Sequence, residues 1–202
     1  MEEKEIRVLQ VTPEIRSGED GRKMIAGYAV RWEQLSNPIW GIFREKFTRG
    51  SFSQSLMDRK DDIFATWQHD VRDTIGRSPN TLTLREDDNG LWYEIDPPSW
   101  AERFVETIER GDVRGSSFTF VCRAEGWDYD SDPDYAIRTI TRADLFEVAP
   151  VTLPAYPQSS AGVRSEQEIA EMVRQEKARR NGQYQKFLAR SKALRDISLS
   201  VQ

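Results

Sequence analysis

Histidine is almost missing from this chain: of 202 residues only His69 is one. A hydrolytic zinc centre draws on two or three histidines or on several cysteines. With His69 and a single cysteine, Cys122, the chain offers neither set, so no metal and no cofactor is expected. The lone cysteine also excludes an internal disulfide, which agrees with a reducing compartment. Long apolar runs are absent too. Nothing approaches the roughly 20 residues of a membrane span, and no membrane partner is expected. The opening Met1-Glu2-Glu3-Lys4-Glu5 is charged and lacks an apolar signal segment, which predicts synthesis in a cytoplasm. Positive charge is not in excess either: 29 Lys and Arg against 34 Asp and Glu leave a net charge of −5. Nucleic-acid-binding modules usually carry a net basic face, so no nucleic-acid partner is expected.

What the chain does have is 38% hydrophobic and 31% charged residues, enough for one ordinary domain with an appendage. From residue 1 to 165 short alternating runs recur, among them Ile6 to Val11, Met24 to Trp32, Thr81 to Arg85, Leu91 to Asp96, Ser117 to Arg123, Arg138 to Thr141 and Leu145 to Leu153. They read as strands. Glu19-Asp20-Gly21 and Asp88-Asn89-Gly90 read as turns, the second joining a hairpin with Leu82 and Leu84 before it and Leu91, Tyr93 and Ile95 after it. A helix is predicted over Trp100 to Arg110, capped by Ser99 and ended by Gly111. A shorter one is predicted over Ser51 to Met57, with Phe52 and Leu56 inward. From 166 to 202 the composition turns to dense charge with a basic bias after Lys177. That segment reads as a helical tail in one or two pieces, interrupted near Asn181-Gly182, and either packed on the domain or free of it.

Few residues could carry chemistry. In Ser116-Ser117-Phe118-Thr119-Phe120-Val121-Cys122, alternate side chains share a face. Ser116 has the parity of the apolar set Phe118, Phe120 and Cys122, while Ser117, Thr119 and Val121 take the other face. Parity therefore favours Ser117 as an accessible nucleophile, although a serine after glycine at a strand start is commonly only a turn residue. Cys122, with two phenylalanines, reads as a small buried hydrophobe. His69 ends the run Phe64-Ala65-Thr66-Trp67-Gln68-His69-Asp70, with the parity of Ala65 and Trp67, and Asp70 could cap the following turn. In Asp144-Leu145-Phe146-Glu147-Val148-Ala149, parity puts Phe146 and Val148 on one face and Glu147 on the other with Leu145 and Ala149. A carboxylate in so apolar a strand needs a partner, either an arginine or a histidine that it orients. Asp144 is the weaker candidate. Asp128, Asp130, Asp132 and Asp134 alternate like a calcium loop, but Pro133 stands where an EF-hand needs glycine and Thr139 where it needs glutamate.

Taken in order, these segments resemble the prohead proteases of tailed bacteriophages, relatives of the herpesvirus assembly proteases. The resemblance runs from about Ile6 to Val163. It rests on Gly27-Tyr28-Ala29, Phe43-Arg44-Glu45-Lys46-Phe47 leading into Gly50-Ser51-Phe52, Gln68-His69-Asp70, Ile75-Gly76-Arg77, Gly90-Leu91-Trp92, Arg110 through Gly115-Ser116-Ser117-Phe118, and Leu145-Phe146-Glu147-Val148 through Thr152-Leu153-Pro154-Ala155-Tyr156. Ser116 replaces the methionine of the family's Gly-Met-Ser-Phe.

The resemblance implies an α+β, mainly β fold: a compact β-barrel flanked by helices, with the protease domain over 1–165 and the charged helical tail over 166–202. It implies Ser117 as nucleophile, His69 as general base and Glu147 as third member, where the herpesvirus relatives use a second histidine. An oxyanion site is expected near Pro154 to Pro157. The implied activity is serine endopeptidase cleavage of the scaffold, or a scaffold-like segment of the major capsid protein, and of the protease itself. It would act inside the assembling procapsid in the host bacterial cytoplasm. A homo-oligomer is left open. The rival readings are a non-catalytic capsid-assembly protein on the same barrel and, more distantly, a nucleic-acid-binding barrel.

Overall fold

The structure, a computed structural model, describes residues 4–18, 21–152 and 166–199, with side chains to residue 183 in the last segment. Ten strands and three α-helices follow in the order β1 (Glu5–Leu9), β2 (Glu14–Ser17), β3 (Lys23–Arg31), β4 (Phe43–Phe47), α1 (Ser53–Asp58), β5 (Phe64–Trp67), β6 (Asp70–Arg77), β7 (Leu82–Glu86), β8 (Gly90–Ile95), α2 (Glu102–Glu109), β9 (Gly115–Asp128), β10 (Ala136–Val151) and α3 (Glu166–Leu199). The protein is mainly β, as the alternating runs predict.

One sheet runs β1-β9-β10-β5-β6, with β4 also on β10; the other runs β2-β3-β8-β7. Long β10 joins the two runs around Arg138 and Leu145 into a single strand. Along one edge it pairs with β9, and along the other with β4 at its start and β5 near its end. The larger apolar core is shared by both sheets, with Ile25, Val30, Leu91, Tyr93 and Ile95 from one and Ala65, Ile75, Phe118, Phe120, Leu145 and Val148 from the other. The ladders form two open sheets among the described residues, and the expected closed barrel is not seen there. A groove of about 210 Å³ lies between β1 and β3, lined in part by Val8, Leu9, Ala29 and Val30.

Local signals explain several elements. The β7–β8 hairpin forms where Asp88-Asn89-Gly90 predicts it, with Asp87 Oδ1 accepting the Asn89 and Gly90 amides at 2.8 and 3.1 Å. Gly90 is required there, because a Cβ would stand 1.9 Å from the Val30 carbonyl oxygen. The predicted helix after Ser99 is shorter, since Ser99 makes no capping bond and opens a 3-10 turn over Ser99–Ala101 before α2. Phe104, Val105 and Ile108 are its buried face. The helix predicted from Ser51 begins two residues later as α1, with Phe52 fully buried.

Helix α3 runs unbroken through Asn181 and Gly182, which corrects the expected interruption. One glycine in a helix interior costs only about 1 kcal/mol relative to alanine, and the flanking Lys, Arg, Gln and Ala residues are good helix formers. Ile169 and Val173 bury against Ile39, Phe43 and Ala136, so the first half of α3 packs on the domain. Arg180 lies over the Tyr129 ring and pairs with Asp130.

A buried ionic cluster ties β1 to β4 and β10. Arg7 bonds to Glu45 at 2.8 Å and to Glu5 at 2.6 Å, and Arg138 bonds to Glu5 at 2.7 Å and to Glu45 at 2.8 Å. Each buried charge thus meets an opposite one, the condition for burying it without a large penalty.

Candidate active site

Strand β9 presents its two serines to opposite sides, as alternation requires. Ser116 turns inward, where its Oγ is 2.8 Å from the hydroxyl of fully buried Tyr93. Gly27 on β3 leaves room for that pair, since a Cβ there would lie 3.1 Å from the Tyr93 oxygen. Ser117 turns to the opposite side, where it too is fully buried. Its Oγ lies 2.6 Å from His69 Nε2 and also donates to the Arg7 carbonyl at 2.8 Å. One hydroxyl proton therefore has two acceptors, and only donation to Nε2 would activate the oxygen for attack.

His69 reaches this position through backbone conformation rather than strand parity. Gln68 and His69 are the two central residues of the β5–β6 turn, with φ of +55° and +62°. Left-handed backbone at both centres suits a two-residue hairpin, and in residues other than glycine it stores strain that surrounding contacts must hold. The parity reading, which grouped His69 with Ala65 and Trp67, is corrected here. Those two face the core while His69, beyond the end of β5, turns to Ser117.

Glu147 arrives by a bulge. The β9–β10 register shifts between Leu145 and Glu147, so Phe146 is the extra residue. Leu145 and Val148 are both in the core, whereas half-buried Phe146 sits outside it beneath Lys4 and Arg59. The predicted faces of Leu145 and Phe146 are thus exchanged, because a bulge breaks the two-residue period and re-aims its neighbours. Glu147 Oε2 lies 3.1 Å from His69 Nδ1. The Nδ1 atom nonetheless makes no well-directed hydrogen bond, so the contact is a close approach of the carboxylate to the ring. Thr66 and Thr119 each donate a hydroxyl to the Glu147 carboxylate. Burial, the largest influence, acts to raise the Glu147 pKa, but the His69 interaction and the Thr66 and Thr119 bonds outweigh it and hold it below the ordinary carboxylate range.

The other candidates are engaged elsewhere. Asp144 pairs with Arg123 at 2.6 Å, and Asp70 with Arg72 at 2.6 Å. Asp128 and Asp132 accept backbone amides in successive turns. No group of three or more His, Cys, Asp or Glu side chains suited to a metal ion occurs among the described residues. Cys122 is half-buried, and burial pushes its thiol up to about 11; its nearest polar partner is Glu125 at 3.6 Å. The region of Pro154 to Pro157, expected to supply the oxyanion site, lies outside the described residues.

A hydroxyl, an imidazole and a carboxylate in this order are the parts of acyl transfer by serine. Comparison with known families points the same way: the caudovirus prohead serine protease family matches residues 11–175. The chain belongs to that family. No curated protein and no solved structure matches it. The matched span of the protease includes Ser117, His69 and Glu147 and runs on into α3, while β1 precedes it. Proteases of this family serve capsid maturation in the assembling phage head. Among the described residues, no helix is long and apolar enough to cross a membrane.

Sequence reasoning gave no role to Thr66, Thr119 or Gln68. Thr119 carried a usable signal, because it shares the Ser117 face and stands directly opposite Glu147. Gln68 carried none, since nothing local to it announces a left-handed conformation.

Proposed function

We propose that the protease is a serine endopeptidase in which Ser117 is the nucleophile, His69 the general base and Glu147 the residue that orients and stabilises the imidazole. Its substrates would be the scaffold, or the scaffold-like segment of the major capsid protein, and its own chain, within the procapsid. The observation that carries this reading is the convergence of the three side chains, with Ser117 Oγ 2.6 Å from His69 Nε2 and Glu147 Oε2 3.1 Å from His69 Nδ1.

In the first half-reaction Ser117 Oγ bonds to the scissile carbonyl carbon while His69 Nε2 takes its proton. The tetrahedral oxyanion collapses, the C–N bond breaks, and His69 returns the proton to the leaving amine. In the second half, His69 takes a proton from water as the water oxygen attacks the acyl ester. Collapse then breaks the bond to Ser117 Oγ, which regains the proton and releases the carboxylate product. Glu147 stays ionised throughout and offsets the imidazolium charge.

The test is co-expression with the capsid and scaffold proteins, read by mass spectrometry of the products. The wild type should generate discrete fragments of the shell proteins and of itself, and Ser117→Ala should generate none. Retained cleavage in that variant would sink the assignment.

One observation favours the non-catalytic assembly reading: Ser117 has 0% of its surface exposed, although the His69 side chain keeps 21%. On the protease reading this is a resting form that opens to admit substrate. Fluorophosphonate labelling of the purified protein and of assembling particles separates the two. An assembly protein labels in neither, whereas the protease labels at least in particles.

A further inference from the structure

The mechanism as stated uses only the γ-hydroxyl of Ser117, the ring of His69 and the carboxylate of Glu147, yet two more hydroxyls converge on the same carboxylate. Thr66 Oγ1 donates to Glu147 Oε1, and Thr119 Oγ1 donates to Glu147 Oε2 at 2.8 Å. They come from the strands flanking β10 on its two sides, Thr66 from β5 and Thr119 from β9. Both threonines are shut away from solvent, Thr66 at 0% exposed and Thr119 at 6%. Neither bonds to Ser117 or His69.

We propose that Thr66 and Thr119 are positioning residues for the hydrolytic reaction, a two-sided clamp that fixes the plane of the Glu147 carboxylate and aims one oxygen at His69 Nδ1. This rests on the reading of Ser117, His69 and Glu147 given above. The physical case begins with geometry. A carboxylate on a flexible side chain rotates about its last torsion, which is broad and roughly two-fold. One donor per oxygen, from opposite sides, removes that rotation. Oε1 is taken up by Thr66, while Oε2, which accepts from Thr119, is the oxygen held 3.1 Å from His69 Nδ1.

Charge supplies the second reason. Hydrogen bonds to an ionised acceptor are stronger than neutral ones and favour its charged form. With two hydroxyls bound, Glu147 draws less strongly on the Nδ1 proton and leaves it on the ring as imidazolium forms. That is the role a third member must play if the imidazole is to return its proton to the leaving group. Satisfying a buried carboxylate would by itself require donors of some kind, but not donors split between the two oxygens by the two neighbouring strands.

The test is Thr66→Val and Thr119→Val, which keep shape and remove only the hydroxyl, each beside its serine counterpart, Thr66→Ser and Thr119→Ser. The readout is labelling of Ser117 by a fluorophosphonate in assembling particles, as limiting rate and half-saturating probe concentration, over a range of pH. Each valine variant is expected to lower the limiting rate about 10-fold, the worth of a hydrogen bond to a charged group. The half-saturating concentration should stay unchanged. The part of the acid limb set by Glu147 should move to higher pH, because losing a donor makes that carboxylate easier to protonate, and the serine variants should restore rate and profile.

Wild-type rates and an unmoved acid limb in both valine variants would overturn the clamp. So would a rate loss that serine does not restore, since the effect would then be packing. A Ser117→Ala control separates this from failure of the underlying site. Labelling that persists in Ser117→Ala removes the site itself, whereas labelling lost there but unchanged in the valine variants removes only the clamp.

Discussion

Gln68 and Thr152 are joined by two hydrogen bonds, one in each direction. Gln68 Nε2 donates to Thr152 Oγ1 at 3.0 Å, and the Thr152 amide donates to Gln68 Oε1 at 3.2 Å. The Gln68 amide adds a third bond, to the Pro150 carbonyl at 3.2 Å. The turn that carries His69 is thereby pinned to the end of β10, the strand that carries Glu147. Two left-handed residues in succession need such an external hold.

Removing that hold should act on the site more than on the fold. Gln68→Ala deletes both side-chain bonds and keeps the backbone one. Labelling of Ser117 is expected to slow about 10-fold, with little change in melting temperature. A wild-type rate would mean that the pairing of β5 with β6 positions His69 unaided.

Ser116 and Ser117 should separate cleanly. Ser116→Ala is expected to cleave substrate normally but to be less stable by about 1–3 kcal/mol, because the buried Tyr93 hydroxyl loses its partner. Urea unfolding measures the loss. Abolished cleavage in a folded Ser116→Ala protein would transfer the nucleophile to the neighbouring serine.

His69→Ala is expected to lose about 100- to 10,000-fold in rate, the usual contribution of a positioned general base. Glu147→Gln should lose less, since it keeps the side chain's shape and a carbonyl acceptor while giving up the charge. Equal losses would show that the base cannot function without the carboxylate, and no loss in Glu147→Gln would reduce the arrangement to Ser117 and His69.

Acid should destabilise the protein through particular carboxyls. For Glu5, burial, the largest influence, works to raise the pKa, but Arg138 and Arg7 outweigh it and hold the carboxyl below its ordinary range; Glu147 is shifted in the same direction. A carboxyl depressed by folding stabilises the native state fully above its unfolded pKa of about 4.3 and loses that contribution as pH falls through the folded value. The unfolding free energy should therefore decline below about pH 4.5, and Glu147→Gln should show a shallower decline than the wild type. Identical acid slopes would contradict the Glu147 part.

By itself the sequence determined what depends on neighbours along the chain. Alternation separated Ser116 from Ser117, Asp88-Asn89-Gly90 set a hairpin, one histidine left one candidate base, and the ordered motifs pointed to the family. Tertiary structure decided what depends on neighbours in space. The bulge at Phe146, which exchanges the faces of Leu145 and Phe146, comes from the register of β9 against β10 and leaves no local trace. The left-handed turn at Gln68 and His69 is held by contacts from Pro150 and Thr152, more than 80 residues away. The meeting of Thr66 and Thr119 at Glu147 is likewise tertiary, although alternation already put Thr119 on the Ser117 face. A threonine reads as an ordinary strand residue, and only the pairing of β5, β10 and β9 puts both hydroxyls on one carboxylate. Spacing fixes a side chain's face only where its strand is regular, while bulges and the partner met on each face are fixed by how the strands are assembled.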